Sequence, residues 1–431
     1  NYLHDKIRSV EFDPTSKLIV AAGTNGEVVV SDAAQGMPVT VLEGPRNVVW
    51  SAHFDPSSRR VIGASWDGTA RVWDATSPYR RFSSPPVGDC GFVTSLEPDR
   101  RFVIIGCRDH PTRVWDTEQD ELLAELPSVT QVAGDLAPTF PAVSAAGDRA
   151  AIARGNSVDV YEVPGGRLLR TIEHPAAVHA VAFADAGHDL VTGATDGSLR
   201  LTHDGQDPLA LPGAPAAIDA IGWLADGRVV VADAGKRLRV YAPGGTILAE
   251  LDVTARVLSL RISPDGHRAV TLPSYIDKSA VPMLLDLERY RVVTLLEGHV
   301  GRVFSARFEA GQIITAGADG TARRWDGTSG QLVQTYRGGA RFLADATLTP
   351  DGSMIVAGGG DGMLRFWDTA TAYPLWKLPA HKSHLIGLHF EGTAIVTRGF
   401  SGDLARWVLP RSEDVIRAFN GREAALSSPP R

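Results

Sequence analysis

Apolar residues alternate with polar or small residues in short stretches that recur along the whole chain. Examples are VFSARF (303–308), AVHAVAF (177–183) and QIITAGA (312–318). Because successive side chains of a strand point to opposite faces of a sheet, such stretches predict half-buried β-strands. Turn sequences such as SPDG (263–266) and TPDG (349–352) separate them, and no amphipathic helix of useful length is found. The pattern predicts an all-β fold.

Trp-Asp dipeptides mark a regular repeat along the chain. The ends of VWD (72–74), VWD (114–116), RWD (324–326) and FWD (366–368) are separated by 42, 210 and 42 residues. The middle interval holds five periods of 42, and weaker copies fill it and extend the series at both ends. Self-similarity at a fixed period is typical of repeat architectures, so we predict ten repeats of about 42 residues.

Each repeat contains four short apolar stretches separated by turns. A tight Asp-Gly turn recurs between the second and third stretches, at 67–68, 196–197, 319–320 and 361–362. Asp-Gly between alternating stretches is a strong signal for an antiparallel hairpin. Each repeat is therefore predicted to form one four-stranded antiparallel blade.

These features resemble the WD40 (WD-repeat) family of β-propellers, over most of the chain from about Ile7 to Phe419. The specific signal is an Asp-Gly turn whose Asp lies six residues before the Trp, in phase with the 42-residue period. The resemblance implies a propeller whose blades hold a polar network of His, Ser or Thr, Asp and Trp. The eighth repeat contains the full set, His299, Thr315, Asp319 and Trp325.

Other repeats keep parts of this network. The tenth repeat has Ser401 in place of the Asp, and the fifth has Thr202 in place of the Trp. The retained members are His381, Thr397 and Trp407 in the tenth repeat, His174, Thr192 and Asp196 in the fifth, Asp67 and Trp73 in the second, and Asp361 and Trp367 in the ninth. Repeats four, six and seven lose most of the set, so we expect their blades to rest more on apolar packing.

Ten repeats exceed the four to eight blades that propellers usually contain. The longest repeat spacing falls between the third and fourth repeats, near the Pro-containing stretch 132–141. We therefore predict three blades of a first propeller in residues 1–127 and a seven-bladed propeller in residues 128–431. One ten-bladed ring is the alternative.

Composition restricts the cellular environment and the kind of partner that we predict. The formal net charge is −7 and the isoelectric point about 6.0, which disfavours a nucleic-acid protein held by a general positive field. Cys90 and Cys107 are the two cysteines, and no membrane-spanning or signal segment is recognisable, so we expect a cytoplasmic protein. Arg outnumbers Lys 37 to 6, which indicates a GC-rich, bacterial genome.

Catalytic motifs are not found. The chain lacks the P-loop, zincin and nucleophile-elbow patterns, so neither enzyme activity nor a cofactor is predicted. His381, His384 and His389 lie close in sequence, but two of them occupy positions in the repeat, which disfavours a metal site. A hydrolase with its active site in the propeller channel is the alternative. It would need His, Arg or carboxylates at the starts of the first strands, which are mostly apolar or small.

A non-catalytic scaffold or sensor that binds a protein partner is therefore the predicted function. The partner is another protein, or an effector domain upstream in the same polypeptide. Trp66 occupies a position beside the tight turn that varies freely among repeats, so we predict a surface contact there; packing on a neighbouring blade is the alternative. The candidate contact residues are Arg46, Trp66, Arg108, His110, Tyr275, Arg398 and Phe400.

Overall fold

The structure is a computed structural model. It describes residues 7–24, 27–34, 38–42, 48–54, 58, 60–65, 70–75, 79–83, 92–94, 102–106, 111–116, 121–127, 141–144, 146–163, 165–184, 187–274, 280–338, 340–391, 394–400 and 404–408.

Short strands form almost all of the regular structure in these residues. In chain order they are β1 (Ile7–Phe12), β2 (Leu18–Gly23), β3 (Val28–Asp32), β4 (Pro38–Leu42), β5 (Val49–Phe54), β6 (Arg60–Ser65), β7 (Ala70–Asp74), β8 (Tyr79–Ser83), β9 (Phe92–Thr94), β10 (Phe102–Gly106), β11 (Thr112–Asp116), β12 (Glu121–Leu126), β13 (Ala142–Val143), β14 (Arg149–Arg154), β15 (Ser157–Glu162), β16 (Leu168–Glu173), β17 (Val178–Phe183), β18 (Leu190–Ala194), β19 (Leu199–Thr202), β20 (Leu209–Leu211), β21 (Ile218–Trp223), β22 (Val229–Asp233), β23 (Arg237–Tyr241), β24 (Ile247–Asp252), β25 (Val257–Ile262), β26 (Arg268–Pro273), β27 (Met283–Asp286), β28 (Arg291–Leu295), β29 (Val303–Glu309), β30 (Gln312–Gly317), β31 (Thr321–Asp326), β32 (Leu332–Arg337), β33 (Leu343–Leu348), β34 (Met354–Gly359), β35 (Met363–Asp368), β36 (Pro374–Pro379), β37 (Leu385–Glu391), β38 (Ala394–Gly399) and β39 (Leu404–Val408). The all-β prediction is confirmed, and no helix in the described part of the chain is long and apolar enough to cross a membrane.

The eighth repeat shows how the sequence pattern produces a blade. β29 pairs antiparallel with β30, from Val303 opposite Gly317 to Glu309 opposite Gln312. The turn to β31 places Gly320 at φ 70°, in the left-handed region that glycine adopts without steric cost. β32 completes the sheet in the order β29-β30-β31-β32.

The chain divides into two compact units by its internal contacts. Unit 2 comprises Ser84–Gln334 and Phe400–Leu404. Its strands form six four-stranded sheets, β9–β12, β13–β16, β17–β20, β21–β24, β25–β28 and β29–β32. This is a β-propeller arrangement of six four-stranded antiparallel blades, which we number 3 to 8 after the repeats that supply them.

Unit 1 comprises Asn1–Ser83, Thr335–Gly399 and Ala405–Arg431, and its strands do not stay within their repeats. β4 and β36, the outer strands of the first and ninth repeats, pair with each other, so blades 1 and 9 form one eight-stranded sheet. Lys377 on β36 supports this junction through an ion pair with Glu27, with Nζ 2.6 Å from Oε1. β8 pairs with β39 of blade 10, which leaves blade 2 with β5, β6 and β7.

The prediction of ten separate four-stranded blades is therefore wrong. Neither a seven-bladed ring with part of a second ring nor one ten-bladed ring matches this arrangement. The physical reason is that a fourth strand can join any free sheet edge through backbone hydrogen bonds, which the 42-residue period does not encode. The division into residues 1–127 and 128–431 stays a prediction.

Neighbouring blades pack through apolar faces, and these junctions form the core. We call the side of a blade that packs on the following blade its leading face, and the other side its trailing face. In the junction of blades 6 and 7, Val230 and Val240 of the leading face meet Leu260 and Leu285 of the trailing face. The same arrangement joins blades 5 and 6, where Val191 and Leu201 meet Val231 and Tyr241.

Candidate functional site

A continuous polar network crosses blade 8. His299 precedes β29, and its Nδ1 lies 3.0 Å from Oδ1 of Asp319 in the tight turn. Its Nε2 lies 2.8 Å from Oγ1 of Thr315 on β30, and the same oxygen accepts a hydrogen bond of 2.9 Å from Nε1 of Trp325 on β31. With the imidazole proton on Nδ1, every donor in the chain Trp325–Thr315–His299–Asp319 has an acceptor. The structure thus brings the four residues of the eighth repeat together.

The pKa values of this network follow from its geometry. Burial lowers the pKa of His299, against the opposing effect of the Asp319 carboxylate. Burial alone would raise the pKa of Asp319, but hydrogen bonds from Thr321, His299 and the Val300 N–H together lower it to about 2. The network therefore holds a neutral imidazole beside an ionised carboxylate at neutral pH.

Blades 10 and 5 contain shorter versions of the network. In blade 10, His381 Nε2 lies 2.8 Å from Thr397 Oγ1, which also accepts a 2.9 Å hydrogen bond from Trp407 Nε1. In blade 5, His174 lies 2.7 Å from Thr192 Oγ1 and 3.1 Å from the hydroxyl oxygen of Ser198. Asp196 accepts a 2.9 Å hydrogen bond from the Ser198 N–H. Burial, and then the charge of Arg200, lowers the pKa of His174 to about 4.

In blade 9 the third-strand Trp and the tight-turn Asp have other hydrogen-bond partners. Trp367 Nε1 donates to the carbonyl oxygen of Arg337 at 2.9 Å, and Asp361 accepts from Arg365 Nη1 at 2.9 Å. In blade 2 the backbone of Trp73 pairs with Val61 on β6, while Asp67 and the Trp73 side chain lie outside the described residues.

Arginines of the third strands were not predicted as network members. Arg323 and Arg365 each contact the tight-turn Asp four residues before them, Asp319 and Asp361. In blade 6 the buried Arg239 donates to Asp233 at 2.5 Å and to Glu250 at 2.9 Å. The sixth blade thus rests on a buried ion pair as well as on apolar packing. In blades 8 and 9 the tight-turn Asp and the Arg are four residues apart, a spacing that can be recognised in the sequence.

The predicted partner-contact residues fall mostly outside the described part of the chain. Arg46, Trp66, Arg108, His110 and Tyr275 lie there. Phe400, directly after β38, is 59% exposed, and Arg398 within β38 is half-buried. Cys90 and Cys107 also lie outside the described residues.

A β-bulge near the start of the first strand recurs in eight blades. The register shifts after the first residue, so the second residue lies outside the regular pairing. Bulges often redirect side chains next to functional sites. The bulge residues are Arg8, Trp50, His179, Asp219, Leu258, Phe304, Ala344 and Ile386.

In unit 1, two of these residues form an exposed pair that was not predicted. The Arg8 guanidinium lies 5.1 Å from the ring centroid of Trp50, a cation–π contact between blades 1 and 2. Both side chains are exposed. Val49 pairs with Ser65, so Trp50 lies beside the end of β6. Trp66, one of the predicted contact residues, is the next residue after Ser65 in the sequence.

In unit 2, the buried bulge residues of blades 5 and 6, His179 and Asp219, form a polar cluster with the half-buried Arg256, which precedes β25. Arg256 donates to both carboxylate oxygens of Asp219 at 2.6 Å. His179 Nδ1 lies 3.6 Å from Asp219 and 2.9 Å from the carbonyl oxygen of Ile218. His179 and Asp219 are the charged or titratable residues of first strands, VHAVAF and IDAIGW, that are otherwise apolar or small. The described residues contain no group of three His, Cys, Asp or Glu side chains placed to hold a metal ion.

Comparison with known families finds WD repeats in three segments of the chain. Residues 36–74, 166–202 and 330–368 match the family model described as WD domain, G-beta repeat. The chain therefore contains WD40 repeats, as the Trp-Asp spacing predicted.

The following curated proteins, all from eukaryotes, are similar in sequence. The chain is 24% identical over 225 residues to serine-threonine kinase receptor-associated protein of Gallus gallus, covering 51% of this chain and 63% of that protein. It is 37% identical over 84 residues to small ribosomal subunit protein RACK1 of Saccharomyces cerevisiae, covering 18% of this chain and 26% of RACK1. A third relative is cell division cycle 20.1, cofactor of APC complex, of Arabidopsis thaliana, 28% identical over 158 residues and 34% of each chain. The chain thus matches less than two thirds of the length of each of these relatives. A bacterial origin of the chain stays a prediction.

Removal of the Thr315 hydroxyl should destabilise blade 8. We expect Thr315→Ala to lower the free energy of unfolding by about 2–4 kcal/mol, because the buried Trp325 N–H and His299 Nε2 both lose their partner. Thr315→Ser, which keeps the hydroxyl, should lose less than about half of that amount. Urea denaturation followed by tryptophan fluorescence measures both variants. Equal stability of Thr315→Ala and wild type would contradict the network.

Acidification should destabilise the protein through His174. Its pKa is about 4 in the folded protein and 6.5 ordinarily, so the unfolded chain takes up the proton first as pH falls. The stability contributed by the neutral imidazole is complete above pH 6.5 and is lost toward pH 4, about 3 kcal/mol in all. His174→Gln should flatten the dependence of unfolding free energy on pH in this window. His267→Gln, at an exposed histidine, is the matched control, and an unchanged slope in His174→Gln would contradict the assignment.

Proposed function

We propose that this protein is a non-catalytic scaffold or sensor that binds a protein partner at the blade ends where the first strands begin. The exposed Arg8–Trp50 pair is the observation that supports this best. Trp and Arg are enriched among residues that dominate binding energy at protein interfaces. The contact between the two side chains, at bulges of two packed blades, should reduce the entropy that they lose on association.

Similarity to WD-repeat proteins supports the same kind of function. The names of the relatives associate them with a receptor, a ribosomal subunit and the APC complex. Partner binding by a propeller needs only a rigid scaffold and exposed side chains at the blade ends. Both are present here, and the exposed Phe400 extends the set of aromatic candidates.

The cluster of His179, Asp219 and Arg256 is better explained as a link between blades than as a catalytic site. Both oxygens of Asp219 accept hydrogen bonds from Arg256, and His179 is committed to a backbone carbonyl of blade 6. A hydrolytic site would need a carboxylate or imidazole directed at substrate. We therefore favour a non-catalytic role over a channel hydrolase.

The kind of partner and the cellular environment are also part of this proposal. The net charge of −7 favours a protein partner over nucleic acid. An effector domain in the same polypeptide would meet the same side chains as a separate partner. Two cysteines in 431 residues favour a reducing, cytoplasmic environment.

Substitution of the exposed pair should weaken partner binding. We expect Trp50→Ala to reduce affinity about 30-fold, the effect of losing roughly 2 kcal/mol at a dominant contact. The partner is identified by co-purification with the wild-type chain from its native cells, and its affinity for each variant is then measured by biolayer interferometry.

Leu248→Ala, at an exposed apolar residue of the outer strand β24, is the matched control and should bind like wild type. Equal affinity of Trp50→Ala and wild type, with circular dichroism unchanged, would place the partner site elsewhere. Turnover of an ester, glycoside or peptide substrate that Asp219→Asn abolishes would instead favour the enzyme.

A further inference from the structure

Three exposed cations of unit 1 lie at the ends of blades 9 and 10 where the first strands begin. They are Arg337 at the end of β32, Arg341 just before β33 and Lys382 before β37. None of the three has an ion-pair partner in the part of the chain that the structure describes. By contrast, the exposed Arg167 of blade 4 pairs with Glu162 at 3.0 Å. In a chain of net charge −7, these cations form an uncompensated positive patch.

A ring contact joins the two loops that carry Arg341 and Lys382. The rings of Phe342 and His384 meet edge to face, with centroids 5.5 Å apart. Phe342 also lies against the tight turn of blade 9, because a Cβ atom at Gly360 would be 2.5 Å from Cε1 of its ring. Arg341 directly precedes Phe342, and Lys382 lies two residues before His384. The ring contact therefore keeps the two cations on one surface.

Two carboxylates of blade 9 lie at the same end but have other donors. Asp361 in the tight turn accepts a hydrogen bond of 2.9 Å from Arg365 Nη1. The buried Asp345 accepts a hydrogen bond of 3.0 Å from the Leu388 N–H of blade 10. These contacts hold the blades together and leave the charges of the exposed cations to a binding partner.

We propose that this end of blades 9 and 10 binds an acidic segment of a protein partner. Carboxylates of the segment pair with Arg341 and Lys382, and an apolar or aromatic side chain between them contacts the rings of Phe342 and His384. Complementary charge at an exposed surface selects the partner and speeds its association. Recognition of acidic motifs by clustered basic residues is a recurring mode of peptide binding.

This surface is separate from the Arg8–Trp50 pair, and the inference does not rest on that pair. β1 and β33 are the two edges of the eight-stranded sheet, and every pairing between them is antiparallel. β1 and β33 therefore run in opposite directions, so the first strands of blades 1 and 9 begin at opposite ends of the sheet. A chain that uses both surfaces would connect two proteins.

Fluorescence anisotropy with the full-length chain tests the proposal. The probe is a short fluorescein-labelled peptide that contains one Trp among Asp and Glu residues. We expect Arg341→Ala/Lys382→Ala to bind it about tenfold more weakly than wild type, because two exposed ion pairs are lost. Raising the ionic strength from about 10 mM to about 150 mM should weaken binding by wild type, since the Debye length falls from about 30 Å to about 8 Å.

Arg167→Ala/Lys236→Ala is the matched control, because it removes one exposed Arg and one exposed Lys and changes the net charge equally. It should bind the peptide like wild type, and a second peptide with Asn and Gln in place of Asp and Glu should bind much more weakly. Equal affinity of wild type and Arg341→Ala/Lys382→Ala, or equal affinity for the two peptides, would overturn the proposal. Because the peptide itself is the readout, either result leaves the test of the Arg8–Trp50 site unaffected.

Discussion

A β-blade has two apolar faces, and burial of both faces is the constraint on which this structure depends. Hydrophobic residues alternate along the strands, so a single sheet exposes Val and Leu on either side unless another blade covers them. The junction of blades 6 and 7 buries Val230, Val240, Leu260, Met283 and Leu285 together. Burial of one such side chain stabilises by roughly 1.5–3 kcal/mol, more than a typical net hydrogen bond. The apolar junctions therefore set the fold.

Polar networks refine this apolar framework rather than replace it. Three large aromatic side chains of the third strands each donate a hydrogen bond, but their acceptors differ. Trp325 uses Thr315, Trp367 uses the Arg337 carbonyl, and Tyr241 donates to the carbonyl oxygen of Pro212 at 2.9 Å. Because the requirement is only that a buried donor be satisfied, repeats can exchange their partners and keep the blade.

The sequence predicted contacts that depend on the spacing of side chains within a repeat, but not contacts that depend on the backbone alone. The spacing of His299, Thr315, Asp319 and Trp325 is local to one repeat, and their contacts were expected from that spacing. The pairing of β4 with β36 depends on backbone hydrogen-bonding groups at two sheet edges. All residue types carry these groups, so no sequence pattern predicted the pairing. Trp50 was overlooked because its exposure comes from a register shift, and a bulge leaves little trace in composition.

The pairing of β4 with β36 has a consequence for synthesis of the chain. Leu42 leaves the ribosome 334 residues before Trp376, its partner across the two strands. At translation rates of about 5–20 residues per second, the edge of the first blade waits for roughly 20–70 s before that partner exists. Throughout this time an apolar strand edge is open to other nascent chains. We therefore expect the edge of β4 to be a site of misassembly during synthesis, and a holding chaperone that covers β4 during translation would protect it.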